Sequence, residues 1–390
     1  MPKTIIPDLE IRDAIIEMGA EDVYKCYQCG KCMGVCPWYQ VDSVLFPVYK
    51  IPETVKLGVI VSGEEKEEIT EEVEEIFRCV GCDACIDGCP HSVNIPAIVR
   101  AIRRILVEYG SFPEELKRVV SNIYSTGNPL GMPKEKRTQW AQGLDIPDFQ
   151  QDTEFAYFVC CIEAYNSQLK GGAVALAEIL KRAGVSFGIL QEGSCCGEAI
   201  RRAGAEEVFR RTAESNIALF KASGVRKILT TSPHCYSTFK KEYPELGGDF
   251  EVIHYTQLLF QLIKEKRIIP KRPLNKRVVY HDPCTLGRQN HIYEEPREIL
   301  KSIPGIELFE IENFSKGDSL CCGGGGGGLW LNRPKEERMT NIRVKQAFDT
   351  GAEILAVACP YCLVMFEDAI KELEIDLQVM SISELLRAAL

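Results

Sequence analysis

The pattern of apolar and polar positions changes at about residue 154. From there onward, short apolar runs alternate with segments that have a helical period. The elements predicted in chain order are FAYFVC, a helix over 168–183, VSFGIL, a helix over 204–222 and VRKILTTSP, and then KRVVYHD, a helix over 294–302, IELFEI, a helix over 335–349 and AEILAVA. Such alternation favours an α/β fold with largely parallel sheets.

In the first 110 residues the apolar spacing predicts helices. Four apolar residues before residue 79 follow a helical period: Ile69, Val73, Ile76 and Phe77. A second helix is predicted over 94–109. It carries Arg100, Arg103 and Arg104, which form a basic patch on an acidic chain. We expect a solvated helix face there, with partner docking as the alternative.

Residues 111–153 contain four prolines and three glycines, with few apolar residues between them. Their composition predicts an ordered but irregular linker with one short helix at SFPEELKRVV. The pattern therefore divides the chain into a helical domain at 1–110, a linker at 111–153, and two α/β units at 154–275 and 276–390.

Composition limits the class of protein. The chain has 390 residues, 45% of them hydrophobic, and a net charge of −10. No block of Lys and Arg is dense enough to neutralise a run of phosphates, so nucleic acid is not an expected partner. We expect no secretion signal, because acidic residues interrupt the first apolar stretch, and the longest apolar stretch, 354–366, is interrupted by Cys and Pro. We expect a cytoplasmic chain that reaches the inner face of a membrane only through a partner.

The chain contains eighteen cysteines, which fall into groups with metal-ligand spacing. Disulfides are rare where thiols are kept reduced, so metal binding is the better interpretation. Residues 26–37 and 79–90 are two copies of C-x2-C-x2-C-x3-C-P. Zinc sites pair two C-x2-C knuckles and have no use for the third cysteine or the proline. The pattern predicts two [4Fe–4S] clusters.

In a two-cluster ferredoxin the fourth cysteine of each run ligates the other cluster. The predicted ligands of one cluster are Cys26, Cys29, Cys32 and Cys89. Those of the other are Cys79, Cys82, Cys85 and Cys36. The module resembles the helical ferredoxin modules of succinate dehydrogenase iron–sulfur subunits.

The remaining cysteines repeat with the α/β pattern. Cys161, Cys195, Cys196 and Cys235 correspond, at a nearly constant spacing, to Cys284, Cys321, Cys322 and Cys362. The agreement extends to SPHC at 232–235 and CPYC at 359–362. The sequence therefore predicts a duplicated unit.

The second unit resembles a known family. YHDPCTLGR at 280–288, CCGGGGGGLW at 321–330 and CPYC at 359–362 are similar to the CCG domain, which occurs twice in heterodisulfide reductase catalytic subunits. A ferredoxin module fused to two CCG units resembles the D-type subunit. Relatives include the K subunit of the dissimilatory sulfite reductase membrane complex and the iron–sulfur subunits of glycolate and lactate oxidation systems.

The resemblance implies an oxygen-sensitive protein of an anaerobic host with an unusual cofactor. A full CCG motif binds a noncubane [4Fe–4S] cluster, which can hold substrate sulfur on iron. The catalytic ligands implied in this chain are Cys284, Cys321, Cys322, Cys359 and Cys362.

The first unit departs from the family pattern. Ser232 stands where the repeat requires a cysteine, which leaves Cys161, Cys195, Cys196 and Cys235. Three alternatives are open: an ordinary cubane cluster on four thiolates, a fifth ligand from Ser232 or from the neighbouring Cys160, and an empty structural site.

His281 lies three residues before Cys284, at the end of an apolar strand. It is a candidate catalytic residue that would give a proton to a departing thiolate. A hydrogen bond to a ligand and a simple core histidine are the alternatives. His234, beside Cys235, is a weaker candidate.

The glycine run 323–328 lacks the Lys-Ser/Thr of a phosphate-binding loop. We expect these glycines to let the backbone pass close to a cluster. No GxGxxG in strand–helix context is present, so flavin or nicotinamide is expected on another subunit.

The sequence thus predicts one subunit of a larger electron-transfer complex. Electrons would pass between the ferredoxin clusters and the noncubane site, where a disulfide or a related sulfur compound is reduced. The expected partner contains flavin or is a membrane cytochrome b linked to quinone. One alternative is a non-catalytic relay between such partners, and another is the iron–sulfur subunit of a 2-hydroxy-acid oxidase.

Overall fold

A computed structural model describes residues 8–41, 44, 46–58 and 71–390 of the chain. Ile69 of the first predicted helix lies outside these residues. The chain divides into two compact units. The first consists of Met1–Val120, Ala199–Phe209 and Gly323–Met339, and the second of Ser121–Glu198, Arg210–Cys322 and Thr340–Leu390.

The first unit is mainly helical, as predicted. Its part of the chain up to residue 120 begins with α1 (Leu9–Ile15), α2 (Lys31–Val35), α3 (Ile51–Leu57), α4 (Glu71–Arg78), α5 (Ala84–Asp87) and α6 (Ile95–Glu108). Short 3-10 turns at Glu21–Lys25, Pro37–Gln40 and Val48–Lys50 connect them. The described residues before 121 include no β-strand.

Helix α6 shows how local sequence sets these elements. Asn94 caps it by accepting a hydrogen bond from the backbone N–H of Ala97 at 3.0 Å, and Pro96 occupies its first turn, where no N–H is needed. Ile98 and Ile102 point into the core and are fully buried. The predicted helix over 94–109 is confirmed.

The other α-helices follow in chain order: α7 (Glu114–Thr126), α8 (Cys161–Tyr165), α9 (Gly171–Arg182), α10 (Glu198–Ala203), α11 (Glu206–Ala222), α12 (Pro233–Ser237), α13 (Tyr255–Lys264), α14 (Glu294–Ser302), α15 (Met339–Asp349), α16 (Pro360–Leu373) and α17 (Ile382–Ala388). The predicted helices at 168–183, 204–222 and 294–302 are confirmed as α9, α11 and α14. The helix predicted over 335–349 begins later, at Met339, after a 3-10 turn at Lys335–Glu337.

The second unit contains two parallel four-stranded sheets with the same topology. One has the order β2-β1-β3-β4, with β1 (Phe155–Phe158), β2 (Phe187–Gly188), β3 (Lys227–Thr230) and β4 (Glu251–His254). The other has the order β6-β5-β7-β8, with β5 (Lys276–Tyr280), β6 (Ile306–Phe309), β7 (Ile354–Val357) and β8 (Gln378–Ser381). The identical order confirms both the duplication and the α/β class.

Residues 111–153 are more regular than predicted. Helix α7 has 13 residues, and Leu116, Val119, Ile123 and Trp140 are buried. Three of these lie on one face of α7, because residues three and seven positions apart share a helix face. The helix predicted at SFPEELKRVV is therefore confirmed but is longer than expected, and the expectation that this segment lacks core residues is wrong. The four-part division of the chain stays a prediction. None of the helices in the described residues is long and apolar enough to cross a membrane.

Candidate metal centres

The ferredoxin-type cysteines lie on two loops of the first unit, each joined to a short helix, α2 or α5. Burial and then the thiols of Cys26, Cys29 and Cys89 raise the pKa of Cys32 to about 11. The structure therefore brings Cys89 close to the first run of cysteines, although it belongs to the second run.

The reverse relation holds for Cys36. Its pKa is raised by burial and then by Cys82 and Cys79, which belong to the other run. Burial also raises the pKa of Cys85, followed by Cys79 and Cys82. Buried thiols that repel each other's ionisation are stabilised as thiolates only by a strong local positive charge, which iron supplies. These neighbours are the ones that the crossed ligand assignment requires.

Arg103 of α6 lies beside the second cysteine loop and is only 2% exposed. Its guanidinium donates to the carbonyl oxygens of Cys79 at 2.7 Å and of Gly326 at 2.7 Å. It also donates to Ile76 at 2.8 and 3.2 Å and to Arg202 at 2.9 Å. The expected solvated face is therefore wrong for Arg103, because the position four residues after Val99 falls on the buried stripe of α6.

The glycine run approaches this loop, as expected from its composition. Gly326 has φ +60, and a Cβ there would overlap the carbonyl oxygen of Cys79 and lie 2.8 Å from Val80. Only glycine permits this contact.

The second CCG site is assembled at the carboxyl ends of strands β5 and β7, where a parallel sheet places its site residues. Cys284 follows β5, Cys359 ends the strand β7 segment as the N-cap of α16, and Cys362 lies in the first turn of that helix. Cys321 and Cys322 come from the loop after β6. All five are buried.

The five sulfurs of this site form one continuous set. The Sγ atoms of Cys284 and Cys321 are 3.8 Å apart, and those of Cys322 and Cys362 are 3.3 Å apart. Cys321 also lies beside Cys322, and Cys359 beside Cys362. The thiols of Cys321 and Cys362 lower the pKa of Cys322 well below its usual value, whereas burial and the thiols of Cys322 and Cys359 raise the pKa of Cys362. Cys322 is therefore a thiol of this site that ionises readily.

His281 faces these sulfurs. It is fully buried, and its Nδ1 accepts a hydrogen bond from Nε of Arg343 at 3.1 Å, so its proton is assigned to Nε2. Ligand atoms of His281, Cys322 and Cys362 lie within 4.8 Å of one another. Burial lowers the pKa of His281, which keeps the ring neutral.

The Nε2 atom of His281 is buried and makes no hydrogen bond of good geometry to a described residue, although the ring lies close enough to Cys322 to lower the pKa of that thiol. A buried N–H without an acceptor costs free energy, whereas a thiolate or sulfide would satisfy it. This orphaned donor therefore fits an iron–sulfur cluster. The geometry favours a hydrogen-bond donor to the cluster over a simple core histidine.

The loop that carries His281 and Cys284 is fixed by a buried ion pair. Arg297 donates to both carboxylate oxygens of Asp282, at 2.6 and 2.7 Å, and to those of Glu310, at 2.6 and 2.8 Å. Bidentate pairs of this kind hold planar geometry as well as charge.

The first CCG site has a similar chain of buried thiols. Cys161 lies beside Cys195, Cys195 beside Cys196, and Cys196 beside Cys235. The thiols of Cys195 and Cys235 lower the pKa of Cys196 to about 6. The pKa of Cys196 is therefore shifted in the same direction as that of Cys322, its counterpart in the repeat.

Arg137 accompanies this site and was not foreseen from the sequence. Its Nη1 lies 3.4 Å from Sγ of Cys161, and its Nη2 donates to the carbonyl oxygen of Val159 at 3.2 Å. The guanidinium lies over the ring of Phe158 at 4.5 Å. Although burial opposes it, Cys161 raises the pKa of Arg137 above its ordinary value. No motif marks this arginine, because its position is set by the packing of a 3-10 turn.

His234 links the two sites. Its ring stacks on Tyr361 with centroids 4.3 Å apart, and these two residues occupy equivalent positions in SPHC and CPYC. Its Nδ1 is 3.0 Å from Oε1 of Glu198, and the ring also lies beside Cys359 of the second site. Although burial opposes it, the neighbouring Cys362 and His234 lower the pKa of Cys359 to about 6.

Comparison with known proteins agrees with this arrangement. The model of the cysteine-rich CCG domain matches residues 155–240 and 278–367, and that of the 4Fe-4S dicluster domain matches residues 22–93. The chain is 31% identical to the D-type subunit of the dihydromethanophenazine:CoB–CoM heterodisulfide reductase of Methanosarcina barkeri, over 94% of this chain and 93% of that protein.

Two longer relatives are similar as well. One is the probable iron-sulfur-binding oxidoreductase FadF of Bacillus subtilis, 31% identical over 92% of this chain. The other is the EtfAB:quinone oxidoreductase of Syntrophomonas wolfei, 32% identical over 95% of this chain. The chain spans 58% of the length of each. A crystal structure of a hypothetical protein from Helicobacter pylori has the same fold, with a TM-score of 0.51 and 11% identity over 97% of this chain and 76% of that one.

Two CCG units and a 4Fe-4S dicluster domain define a protein of the iron–sulfur class, and two of the relatives are named as oxidoreductases. The chain belongs to the CCG-domain family that includes the D-type subunits of heterodisulfide reductases. The family predicted from the cysteine motifs is confirmed. The individual ligands, the number of clusters and the noncubane type stay predictions.

Proposed function

We propose that this chain is an electron-transfer subunit of a heterodisulfide-reductase-like complex that reduces a disulfide or a related sulfur compound at its second CCG site. The observation that carries the proposal is the set of five buried, contiguous cysteine sulfurs faced by the orphaned N–H of His281. The identity of 31% to a D-type heterodisulfide reductase chain, over nearly the full length of both proteins, supports it.

The second CCG site would hold a noncubane [4Fe–4S] cluster through Cys284, Cys321, Cys322, Cys359 and Cys362. A bound cluster supplies one electron at a time to sulfur chemistry that needs two. The protein provides thiolates of lowered pKa at Cys322 and Cys359, a buried site that excludes water, and a neutral His281 that holds a proton on Nε2. The neutral ring can donate a hydrogen bond from Nε2 but not its only proton, so as candidate proton donor to a departing thiolate His281 would act from the imidazolium form.

The ferredoxin module would supply electrons through two cubane clusters. The crossed ligand sets are supported by Cys32 and Cys36, because cysteines of the other run raise the pKa of each. The partner that exchanges electrons with this module would be a flavin-containing subunit, or a quinone-linked cytochrome b at the cytoplasmic face of the membrane.

A non-catalytic relay is the second candidate. The exposed fraction of the five second-site cysteines is at most 7%, which restricts the approach of an external disulfide. The relative from Syntrophomonas wolfei is named as an EtfAB:quinone oxidoreductase. In this case the CCG sites would only conduct electrons.

One experiment on anaerobically purified protein distinguishes the reductase from the relay. Iron and acid-labile sulfide are measured, EPR spectra are recorded with and without an added thiol, and disulfide reduction is followed with a reduced viologen dye. Disulfide-dependent dye oxidation with a thiol-dependent EPR signal supports the reductase.

Matched variants assign each signal to a site. Cys322→Ser should abolish the thiol-dependent signal and turnover but keep the ferredoxin signals. Cys26→Ser should abolish or change a ferredoxin signal and keep the thiol-dependent signal. No disulfide turnover in the wild type, together with passage of electrons from a flavoprotein to quinone, would establish the relay instead. About eight irons per chain would be accounted for by the two ferredoxin clusters and would contradict a cluster in either CCG site.

A further inference from the structure

The two CCG sites differ at one position of the repeat. In the second site Cys359 is the N-cap of α16, and its side chain makes no capping hydrogen bond within the described part of the chain. Its thiol is directed to Cys362. In the first site the equivalent residue is Ser232, the N-cap of α12.

The hydroxyl of Ser232 is engaged elsewhere. It accepts a hydrogen bond from the backbone N–H of Cys235 at 3.5 Å, which is the usual role of serine at an N-cap. Ser232 is fully buried, so its oxygen cannot turn away from this bond without leaving a buried donor unpaired. Ser232 therefore serves the helix and not the thiol set.

Cys160 occupies the vacant role. It lies at the end of the β1 segment as the N-cap of α8, and its side chain makes no capping hydrogen bond to a described residue. Its thiol lies beside that of Cys235, the counterpart of Cys362. It is buried, with 4% of its surface exposed.

The order of sulfur contacts is then the same in both sites. The first runs from Cys161 through Cys195, Cys196 and Cys235 to Cys160. The second runs from Cys284 through Cys321, Cys322 and Cys362 to Cys359. Compared with the second site, the first site has one thiol at the end of β1 instead of at the end of β3, and it still contains five sulfurs.

The charge of the surroundings agrees with an occupied site. Arg137 is 6% exposed and its guanidinium lies beside the sulfur of Cys161. A buried cation is costly unless an anion compensates it. An empty structural site of neutral thiols offers no such compensation, whereas thiolates that bind iron do.

We infer that Cys160, Cys161, Cys195, Cys196 and Cys235 form a second five-thiolate site for a [4Fe–4S] cluster, with Cys160 in place of the cysteine that Ser232 replaces. This inference rests on the proposed iron–sulfur function but not on disulfide turnover. Cys160 is a ligand in it, and Arg137 is a positioning residue.

The test compares three variants by iron content and by Mössbauer and EPR spectra under anaerobic conditions. Cys160→Ser is expected to lose about four irons of about sixteen, or to keep them with the first-site spectrum changed to that of a cubane cluster. Ser232→Ala is expected to keep both the iron and the spectrum. The double variant Cys160→Ser/Ser232→Cys is expected to restore the wild-type spectrum, because it places the thiol where the second site has it.

An independent readout is alkylation of thiols followed by mass spectrometry. Cys160 should resist alkylation in the holoprotein and react after iron is removed with a chelator. The inference is overturned if Cys160→Ser leaves the iron and spectra unchanged, if Ser232→Ala removes the first-site signal, or if the wild type holds no iron beyond the ferredoxin and second sites. Disulfide reduction at the second site is measured separately, so its failure would refute the proposed function and leave this inference standing.

Discussion

Replacing Arg103 by methionine should weaken the first unit and its second cysteine loop. The substitution keeps the length of the apolar stem but removes five hydrogen bonds to four carbonyl oxygens, those of Ile76, Cys79, Gly326 and Arg202. Each buried carbonyl left without a partner costs about 1–3 kcal/mol.

The free energy lost with these hydrogen bonds is offset in part, because the variant no longer buries a charge. Removing one partner of a buried charged network typically costs about 3–5 kcal/mol, and we expect a decrease of this size in the free energy of unfolding. Arg103→Lys should lie between the two, since an ammonium retains the charge but cannot span four carbonyl groups as a planar fork does.

The assay is anaerobic urea unfolding followed by far-UV circular dichroism, with EPR spectra of the reduced protein. We expect the signal assigned to the cluster of the Cys79 loop to be lost at a lower urea concentration than in the wild type. Arg118→Met is the control, because Arg118 is an exposed arginine of the same unit. A methionine variant of Arg103 within about 1 kcal/mol of the wild type, with unchanged spectra, would refute the reasoning.

Three further predictions follow from single contacts. His281→Asn should retain iron but lower the midpoint potential of the second-site cluster, because an N–H near its sulfurs is lost; an EPR redox titration with no shift would contradict this. Gly326→Ala should disrupt the Cys79 loop and reduce the iron content, because its Cβ would overlap the Cys79 carbonyl oxygen. The control Gly110→Ala, at a glycine with φ +72 and no atom within 4 Å, should keep its iron. Equal iron contents in the two variants would show that the close approach is unimportant. Burial lowers the pKa of His254 from 6.5 to about 3, so unfolding takes up a proton below pH 6.5, and stability present above that pH is lost as pH falls. Between pH of about 7.5 and about 5.5 the unfolding free energy of the wild type should decrease by about 1.4 kcal/mol more than that of His254→Gln; parallel pH profiles in urea unfolding would show that His254 does not titrate in this way.

The sequence predicted most of the fold and missed particular elements for physical reasons. The apolar runs predicted the central strands β1, β3, β5 and β7, which are buried along most of their length. They also predicted the edge strands β2 and β6, as VSFGIL and IELFEI. They did not predict β4 or β8, at the opposite edges of the sheets, because EVIH and QVMS are partly exposed and have only two apolar residues each.

The candidate sites divide in the same way. Cysteine spacing predicted the grouping of the thiols because ligands of one loop are close along the chain. It did not predict Arg137, nor the burial of Arg103, since an arginine in a helix or turn has no local mark that separates a core position from a solvated one. Nor did it predict the contact of His234 with Cys359, which joins the two repeats.

By itself, then, the sequence determined the family, the duplication and the identity of the cysteines that are available to bind iron, because these depend on residue type and local spacing. Only the tertiary structure separates Ser232 from Cys160, and our inference that Cys160 is the fifth ligand depends on it. Both lie beside first-site cysteines in the chain, but the hydroxyl of Ser232 caps α12 and the thiol of Cys160 reaches Cys235. That choice depends on how strands β1 and β3 meet in the sheet, a long-range relation that local spacing does not contain.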